Sequence, residues 1–265
     1  MITPILMLGA GRMGGAMIEG WLAAGAFAAS DLMIRDPAPG PVALAAEAAG
    51  AVLNPPDAEL ARAPTVVLAV KPQLWRDAAA ETAPWLAASA VVISIAAGVK
   101  SADLAKEFGD RAVARVMPTT AAAIGQGTAS LYADDPVALA RACALFEPLG
   151  VVAPLTDEAL MHAATAVSGS APAYLYAFIE ALEAAGIAAG LAPGDARRLA
   201  RSTVTGAAAL LATSGEEPTE LRRQVTSPGG TTEAALNVLL GPKGLQVLMR
   251  EAVAAAIRRS RELGA

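Results

Sequence analysis

The chain has little of what most reactive sites are built from. It carries one cysteine, Cys143, and one histidine, His162, in 265 residues. A single cysteine rules out a disulfide within the chain and fits a reducing compartment. Set in an apolar run, Cys143 reads as a core thiol rather than a nucleophile. His162 has no cysteine or second histidine with which to share a zinc ion, and it reads as a surface or capping residue. The formal net charge is -5, which argues against a nucleic-acid or anionic membrane surface. No positive region precedes the apolar start "MITPILMLGAG", so it does not read as a signal peptide. The uncharged stretch 163–179 contains Gly169, Pro172, two serines and two tyrosines and stops at Glu180. It falls short of the ~20 apolar residues of a spanning helix. These absences lead to the expectation of a soluble, cytoplasmic protein with no metal site.

What is present is alanine, which supplies much of the 55% hydrophobic content. Alanine loses no side-chain entropy in a helix, so the chain reads as helix-rich and closely packed. Its length suits two domains. The first half alternates short apolar runs (4–9, 31–36, 65–70, 90–98, 112–118, then 127–133 and 150–155) with helical stretches near 12–25, 42–50, 101–108 and 135–147. That alternation predicts a mostly parallel sheet covered on both faces. Beyond residue 155 the strands stop. Segments 157–189, 194–214, 217–225 and 232–262 all read as helices. The fold class expected is an α/β Rossmann-type dinucleotide-binding domain, 1–155, followed by an all-α domain, 156–265.

"LGAGRMGGAM" sets Gly9, Gly11 and Gly14 in G-x-G-x-x-G spacing between a strand and a helix, the context that gives the pattern meaning. Gly9 allows the tight turn, Gly11 lets a pyrophosphate approach the backbone, and Gly14 lets the helix pack close. The helix N-terminus then offers N–H groups and partial positive charge to the phosphates. At the end of the second strand an acidic residue favours the ribose diol of NAD, and a basic one accommodates the 2′-phosphate of NADP. Arg35 and Asp36 are neighbours there, so three readings stand: Asp36 at the ribose, Arg35 at the ribose, or a solvated pair touching nothing.

The most unusual segment is "VTSPGGTTEAAL" (225–236). Pro228 fixes one torsion, and Gly229 and Gly230 reach angles closed to other residues. The residues that follow start a helix, with threonine as N-cap and glutamate in the first turn. Such a loop delivers N–H groups onto a helix N-terminus as a carboxylate-binding nest. Ser227, Thr231 and Thr232 add neutral hydroxyl donors. With lysine only at 71, 100, 106 and 243, the helical half is expected to complete any site.

Together "TAVSGSAPAYLYAFIEAL" (165–182), "LRRQVTSPGGTTEAAL" (221–236), "VVLAVKPQ" (66–73) and "ISIAAGV" (93–99) resemble pyrroline-5-carboxylate reductases, from the first strand to the last helix. The resemblance implies hydride transfer from NADPH or NADH to C5 of 1-pyrroline-5-carboxylate, giving L-proline, the last step of proline biosynthesis. It implies that Thr232 hydrogen-bonds the imine nitrogen, as proton donor or relay. It implies that Ser227 and the N–H groups of Gly229, Gly230 and Thr231 hold the carboxylate. Leu8, Gly9, Ala10, Gly11, Arg12 and Met13, with Ala69, Val70, Lys71 and Pro72, would line the dinucleotide. It also implies a homodimer of interleaved helical domains, open to further assembly.

Three features depart from the family pattern. Ala171 replaces the middle glycine of G-S-G-P-A-Y. "MPTTAAAIGQG" (117–127) lacks the asparagine and second proline of M-P-N-T-P-A, in a loop that lies near the nicotinamide in the family. Asp36 stands where NADPH-preferring members carry a small polar residue. Three rivals remain. A β-hydroxyacid dehydrogenase needs a general base, usually a lysine early in the second domain, and none occurs between Lys106 and Lys243. A reductase of another cyclic imine is open, because ring size is set by pocket shape. A non-catalytic dinucleotide sensor would show a damaged loop, and "SPGGTT" is whole.

Overall fold

The computed structural model describes residues 2–262. The domain ranges expected above also include residues 1 and 263–265, which lie outside the described residues.

Short apolar runs become buried strands in the middle of the sheet, where both faces are covered. Eight strands form one sheet: β1 Ile5–Leu8, β2 Leu32–Arg35, β3 Val52–Leu53, β4 Thr65–Leu68, β5 Val91–Ser94, β6 Val113–Met117, β7 Gly127–Tyr132 and β8 Gly150–Pro154. Their order is β3-β2-β1-β4-β5-β6-β7-β8. All neighbours are parallel except β6 and β7, which are antiparallel. Successive side chains face opposite sides. Ile5 and Met7 enter one core with Met17, Ile18 and Trp21 of helix α1 (Arg12–Ala23). Helices α2 (Pro41–Ala48) and α5 (Pro136–Phe146) close that side. Leu6 and Leu8 enter the other core, with Trp75 of α3 (Trp75–Thr82) and Leu104 of α4 (Ser101–Glu107). Cys143 packs against the first core. Burial pushes its thiol up, with help from Glu147, which suits a packed group and not a nucleophile.

β3 was not expected. Two residues are too few to register as an apolar run, and it pairs with β2 through Met33 and Ile34.

The chain divides into two compact units, Met1–Gly169 with Ala256–Ala265, and Ser170–Ala255. The first therefore extends past residue 155, where strand count alone would end it. The reason is a set of polar ties beyond β8. Glu158 accepts hydrogen bonds from the Ser101 N–H at the start of α4 (2.7 Å) and from Arg115 on β6 (2.9 Å). Helix α6 (Met161–Ala164) buries Met161. It is followed by a π-helical turn, Thr165–Gly169, where Ala166 is buried. His162 is half-buried rather than a surface or capping residue: its Nδ1 lies 2.9 Å from Ser260 Oγ. That contact joins the end of the chain to this unit.

The second unit contains α7 (Ala171–Ala188), α8 (Pro193–Ser214), α9 (Pro218–Gln224), α10 (Thr231–Leu239) and the first part of α11 (Leu245–Glu262). The expected single helix 232–262 is broken between α10 and α11. Pro242 cannot continue a ladder. A Cβ on Gly244 would sit 2.1 Å from the Leu239 carbonyl oxygen, so the chain folds back there. Among the described residues of this unit only Ala196 and Ala200 are buried. Large apolar side chains stay open: Tyr176 is 64% exposed and Val238 77%. No helix of the described residues is long and apolar enough to cross a membrane.

The Arg115–Glu158 pair carries a stability prediction. The Arg115 side chain is 5% exposed and that of Glu158 26%. Burial alone would raise the Glu158 carboxyl, but the Ser101 N–H and the Arg115 guanidinium together hold it below its ordinary value. A depressed carboxyl adds stability above its unfolded pKa and loses it as pH falls through the folded one. Glu158→Gln should cost about 3 kcal/mol at neutral pH, since it leaves a buried guanidinium uncompensated. It should also flatten the loss of stability below about pH 4.5. Denaturant titrations at pH 7 and at acid pH test both. A variant as stable and as acid-sensitive as the parent contradicts the assignment.

Candidate functional site

The strand register places the first group. Leu8 pairs with Arg35 on one side and with Leu68 on the other. The next residues, Gly9, Asp36 and Ala69, therefore leave three adjacent strands at one level, where the strand order reverses. That carboxyl-end crevice is where open α/β sheets bind ligands. Gly9 donates its N–H to the Arg35 carbonyl (2.8 Å), and Ala69 to the Leu8 carbonyl (2.8 Å).

Gly9 has φ +91°, a left-handed angle that disfavours any side chain. A Cβ on Gly14 would sit 2.3 Å from the Gly9 carbonyl oxygen, so α1 lies directly on the turn. A Cβ on Gly11 would meet nothing within 4 Å, which leaves the backbone open where a pyrophosphate must approach. Gly11 caps α1 without a side chain. The first ladder bond runs from the Gly15 N–H to the Gly11 carbonyl (2.7 Å), so the N–H groups of Arg12, Met13 and Gly14 precede the ladder and point outward. A cavity of 470 Å³ opens here, lined by Ala10, Gly11, Arg12, Asp36 and Thr120 among others. A second, of 410 Å³, is lined by Leu8, Arg35, Asp36, Asn54 and Val70 among others. The residues present therefore fit a dinucleotide, with Asp36 bordering both spaces.

Asp36 and Arg35 are not a solvated pair. The Ala10 N–H donates to Asp36 Oδ2 (2.7 Å) and the Ala38 N–H to Oδ1 (2.9 Å). The Asn54 amide brackets the Asp36 backbone, accepting from its N–H (3.0 Å) and donating to its carbonyl (3.1 Å). Arg35 instead binds the Asp57 carboxylate and the Pro55 carbonyl (3.0 Å). Lys71 and Pro72 open a 3₁₀ turn, with Lys71 exposed. These two and Met13 line neither cavity.

The second group lies in the helical unit. Gly229 takes φ +71°, as the loop chemistry requires. Gly230, not a threonine, is the N-cap of α10, and Thr231 is the first helical residue. Threonine at N-cap was expected for its side-chain oxygen, but the cap comes from elsewhere. Glu233 folds back and accepts from the Gly229 N–H (2.8 Å), while the Gly230 N–H donates to the Ser227 carbonyl (3.0 Å). Two N–H groups expected to hold a carboxylate are thus engaged within the loop. The ladder begins at Ala234, which donates to the Gly230 carbonyl (3.2 Å). The N–H groups of Thr231 and Thr232 precede it. Among the described residues, no group of the chain hydrogen-bonds the hydroxyls of Ser227, Thr231 or Thr232. Ser227 and Thr231 are exposed and Thr232 is half-buried.

Residues 158–263 match the family profile described as pyrroline-5-carboxylate reductase dimerisation. Residues 4–98 match the one described as NADP oxidoreductase, coenzyme F420-dependent. A pyrroline-5-carboxylate reductase of Pseudomonas aeruginosa is 41% identical, over 99% of this chain and 98% of that one. The chain belongs to the pyrroline-5-carboxylate reductase family. Among solved structures of the family, one from Coxiella burnetii superposes with TM-score 0.91 at 30% identity, covering 100% of both chains. Another, from Plasmodium falciparum with NADP bound, gives 0.84 at 26% identity, covering 99% of this chain and 98% of that one. The reductase fold here is a parallel-sheet NAD(P)-binding part followed by a helical part.

The lining residues that escaped the sequence reading include Asn54 and Thr120. Asn54 follows the unrecognised β3 and has φ 48°, a left-handed angle that asparagine tolerates. Thr120 sits in the loop where this chain departs from the family pattern.

The contact between Gly14 and the glycine turn yields a prediction. Gly14→Ala puts a methyl group 2.3 Å from the Gly9 carbonyl oxygen, so turn and helix must part. Affinity for reduced dinucleotide should fall roughly tenfold or more, about 1.4 kcal/mol per factor of ten. Fluorescence titration of the folded variant checks this, and an unchanged Kd contradicts it.

Proposed function

We propose that this chain reduces 1-pyrroline-5-carboxylate to L-proline with a reduced nicotinamide dinucleotide, as the last step of proline biosynthesis. The observation that carries the reading is the whole "SPGGTT" loop, whose hydroxyls and helix-terminal N–H groups are left open for an anion and an imine, in a chain similar to such reductases over nearly its full length. Dinucleotide binding is assigned to the strand-bearing part, through residues 8–14, Asp36 and 69–72. Substrate binding and dimerisation are assigned to the helical part.

The bound nicotinamide would supply a hydride for the imine carbon C5. The chain's own task is then to hold the ring and serve its nitrogen. As the carbon gains the hydride, the C=N bond becomes a single bond and the nitrogen ends with a proton. An iminium is already a good hydride acceptor, so no strong base is required, which suits loop residues that are all neutral donors. Thr232 is assigned the hydrogen bond to the ring nitrogen. Ser227 Oγ and the N–H groups of Thr231 and Thr232 are assigned the carboxylate, at the positive end of α10. Gly229 and Gly230, with N–H groups engaged inside the loop, serve its shape.

The open apolar faces of the helical unit support a homodimer, since large exposed apolar surface marks a protein partner. The family profile matched there is named for dimerisation. Further assembly of dimers is part of the same reading, and a cytoplasmic location suits a chain with one cysteine.

Thr232→Ala should lower kcat with 1-pyrroline-5-carboxylate by about a hundredfold, the lower range for losing a positioned proton donor. Binding of NADH and NADPH should change by less than about twofold, because the interaction lost is made in the transition state. Thr232→Ser should restore most of the rate. Initial rates and dinucleotide titrations measure both quantities, and full turnover in the alanine variant removes Thr232 from the mechanism.

A further inference from the structure

We propose that Asp36 makes this reductase bind NADH in preference to NADPH. The inference rests on the dinucleotide-binding reading above and concerns its adenosine ribose. Asp36 leaves β2 at the level of the glycine turn, and its carboxylate is fixed from two directions by the N–H groups of Ala10 (2.7 Å) and Ala38 (2.9 Å). Asn54 holds its backbone on both sides. The group cannot swing away without losing these bonds. Each carboxylate oxygen keeps a lone pair beyond the one already used, so the carboxylate can accept from a ribose 2′-hydroxyl. It repels a 2′-phosphate, which is mostly dianionic at neutral pH.

The surrounding charges do not offset this. Arg35, the neighbouring cation, is committed to Asp57 and the Pro55 carbonyl. Of the charged side chains lining the two cavities, Arg12 and Arg35 are positive, Arg35 being paired with Asp57 outside them, while Glu19, Asp36 and Glu81 are negative. Among the described residues, no lysine lines either space. Arg12 is also the first helical residue of α1, where the pyrophosphate competes for it. The preference therefore comes from a fixed anion at the ribose, with Arg35 committed to Asp57 and Arg12 placed at the start of α1, on the pyrophosphate side.

Direct titration of the intact protein with NADH and with NADPH, without 1-pyrroline-5-carboxylate, tests this by fluorescence. The wild-type chain should bind NADH at least about tenfold more tightly. Asp36→Asn, which keeps the shape and removes the charge, should bring the two Kd values to within about threefold of each other. Asp36→Ser should reverse the order. Melting curves run alongside establish that each variant is folded. Equal or tighter NADPH binding by the wild type overturns the proposal, as does an unchanged ratio in a folded Asp36→Asn. Failure of both dinucleotides to bind overturns it together with the dinucleotide-binding assignment, an outcome distinct from the other two.

Discussion

The pairing of β1 between β2 and β4 is the constraint on which the rest of the first unit depends. Because Leu8 lies level with both Arg35 and Leu68, the chain emits a glycine, an aspartate and an alanine side by side. A slip of one residue in either pairing would exchange core-facing and opposite-facing side chains along the whole strand. With cores on both faces, neither slip is tolerated. The turn after β1 is then drawn tight by Gly9 and pressed by α1 through Gly14, so helix N–H groups are held where they are wanted by packing alone. Binding geometry is a by-product of burial, and little of it is left to flexible side chains.

The helical unit follows the opposite logic. It buries almost nothing by itself and keeps its apolar side chains open, a condition that a second copy of the chain would relieve. The loop proposed to hold the substrate is likewise built from backbone and hydroxyls. Glu233 closes the loop by accepting from Gly229, and the Ser227 carbonyl accepts from Gly230. What remains outward is neutral, which suits a reaction whose electrons arrive as hydride and whose substrate already carries a reactive C=N bond. The scarcity of histidine and lysine is compatible with that chemistry.

Much of this was legible in the sequence. The seven apolar runs are strands, and for β1, β2, β4, β5 and β6 burial on both faces accounts for the continuous hydrophobic character. The glycine spacing and the left-handed Gly229 follow from steric rules that act locally. What was not legible depended on long-range partners. β3 has two residues and exists through its pairing with β2. The first unit extends to Gly169 because Glu158 and His162 find Ser101, Arg115 and Ser260, contacts with sequence separations of 43 to 98. The engagement of Arg35 likewise depends on distant partners, Asp57 and Pro55. Gly230 rather than a threonine is the cap, and Glu233, three residues downstream, reaches back to the Gly229 N–H.

The central claim is that this chain delivers a hydride to the imine carbon of 1-pyrroline-5-carboxylate. The most direct measurement uses dinucleotide carrying deuterium at the transferable position of the nicotinamide, with the product examined by NMR and mass spectrometry. The account predicts L-proline with one deuterium at C5, formed mole for mole with oxidised dinucleotide. Dinucleotide oxidation without labelled proline, or no turnover by a protein that binds dinucleotide normally, would contradict it.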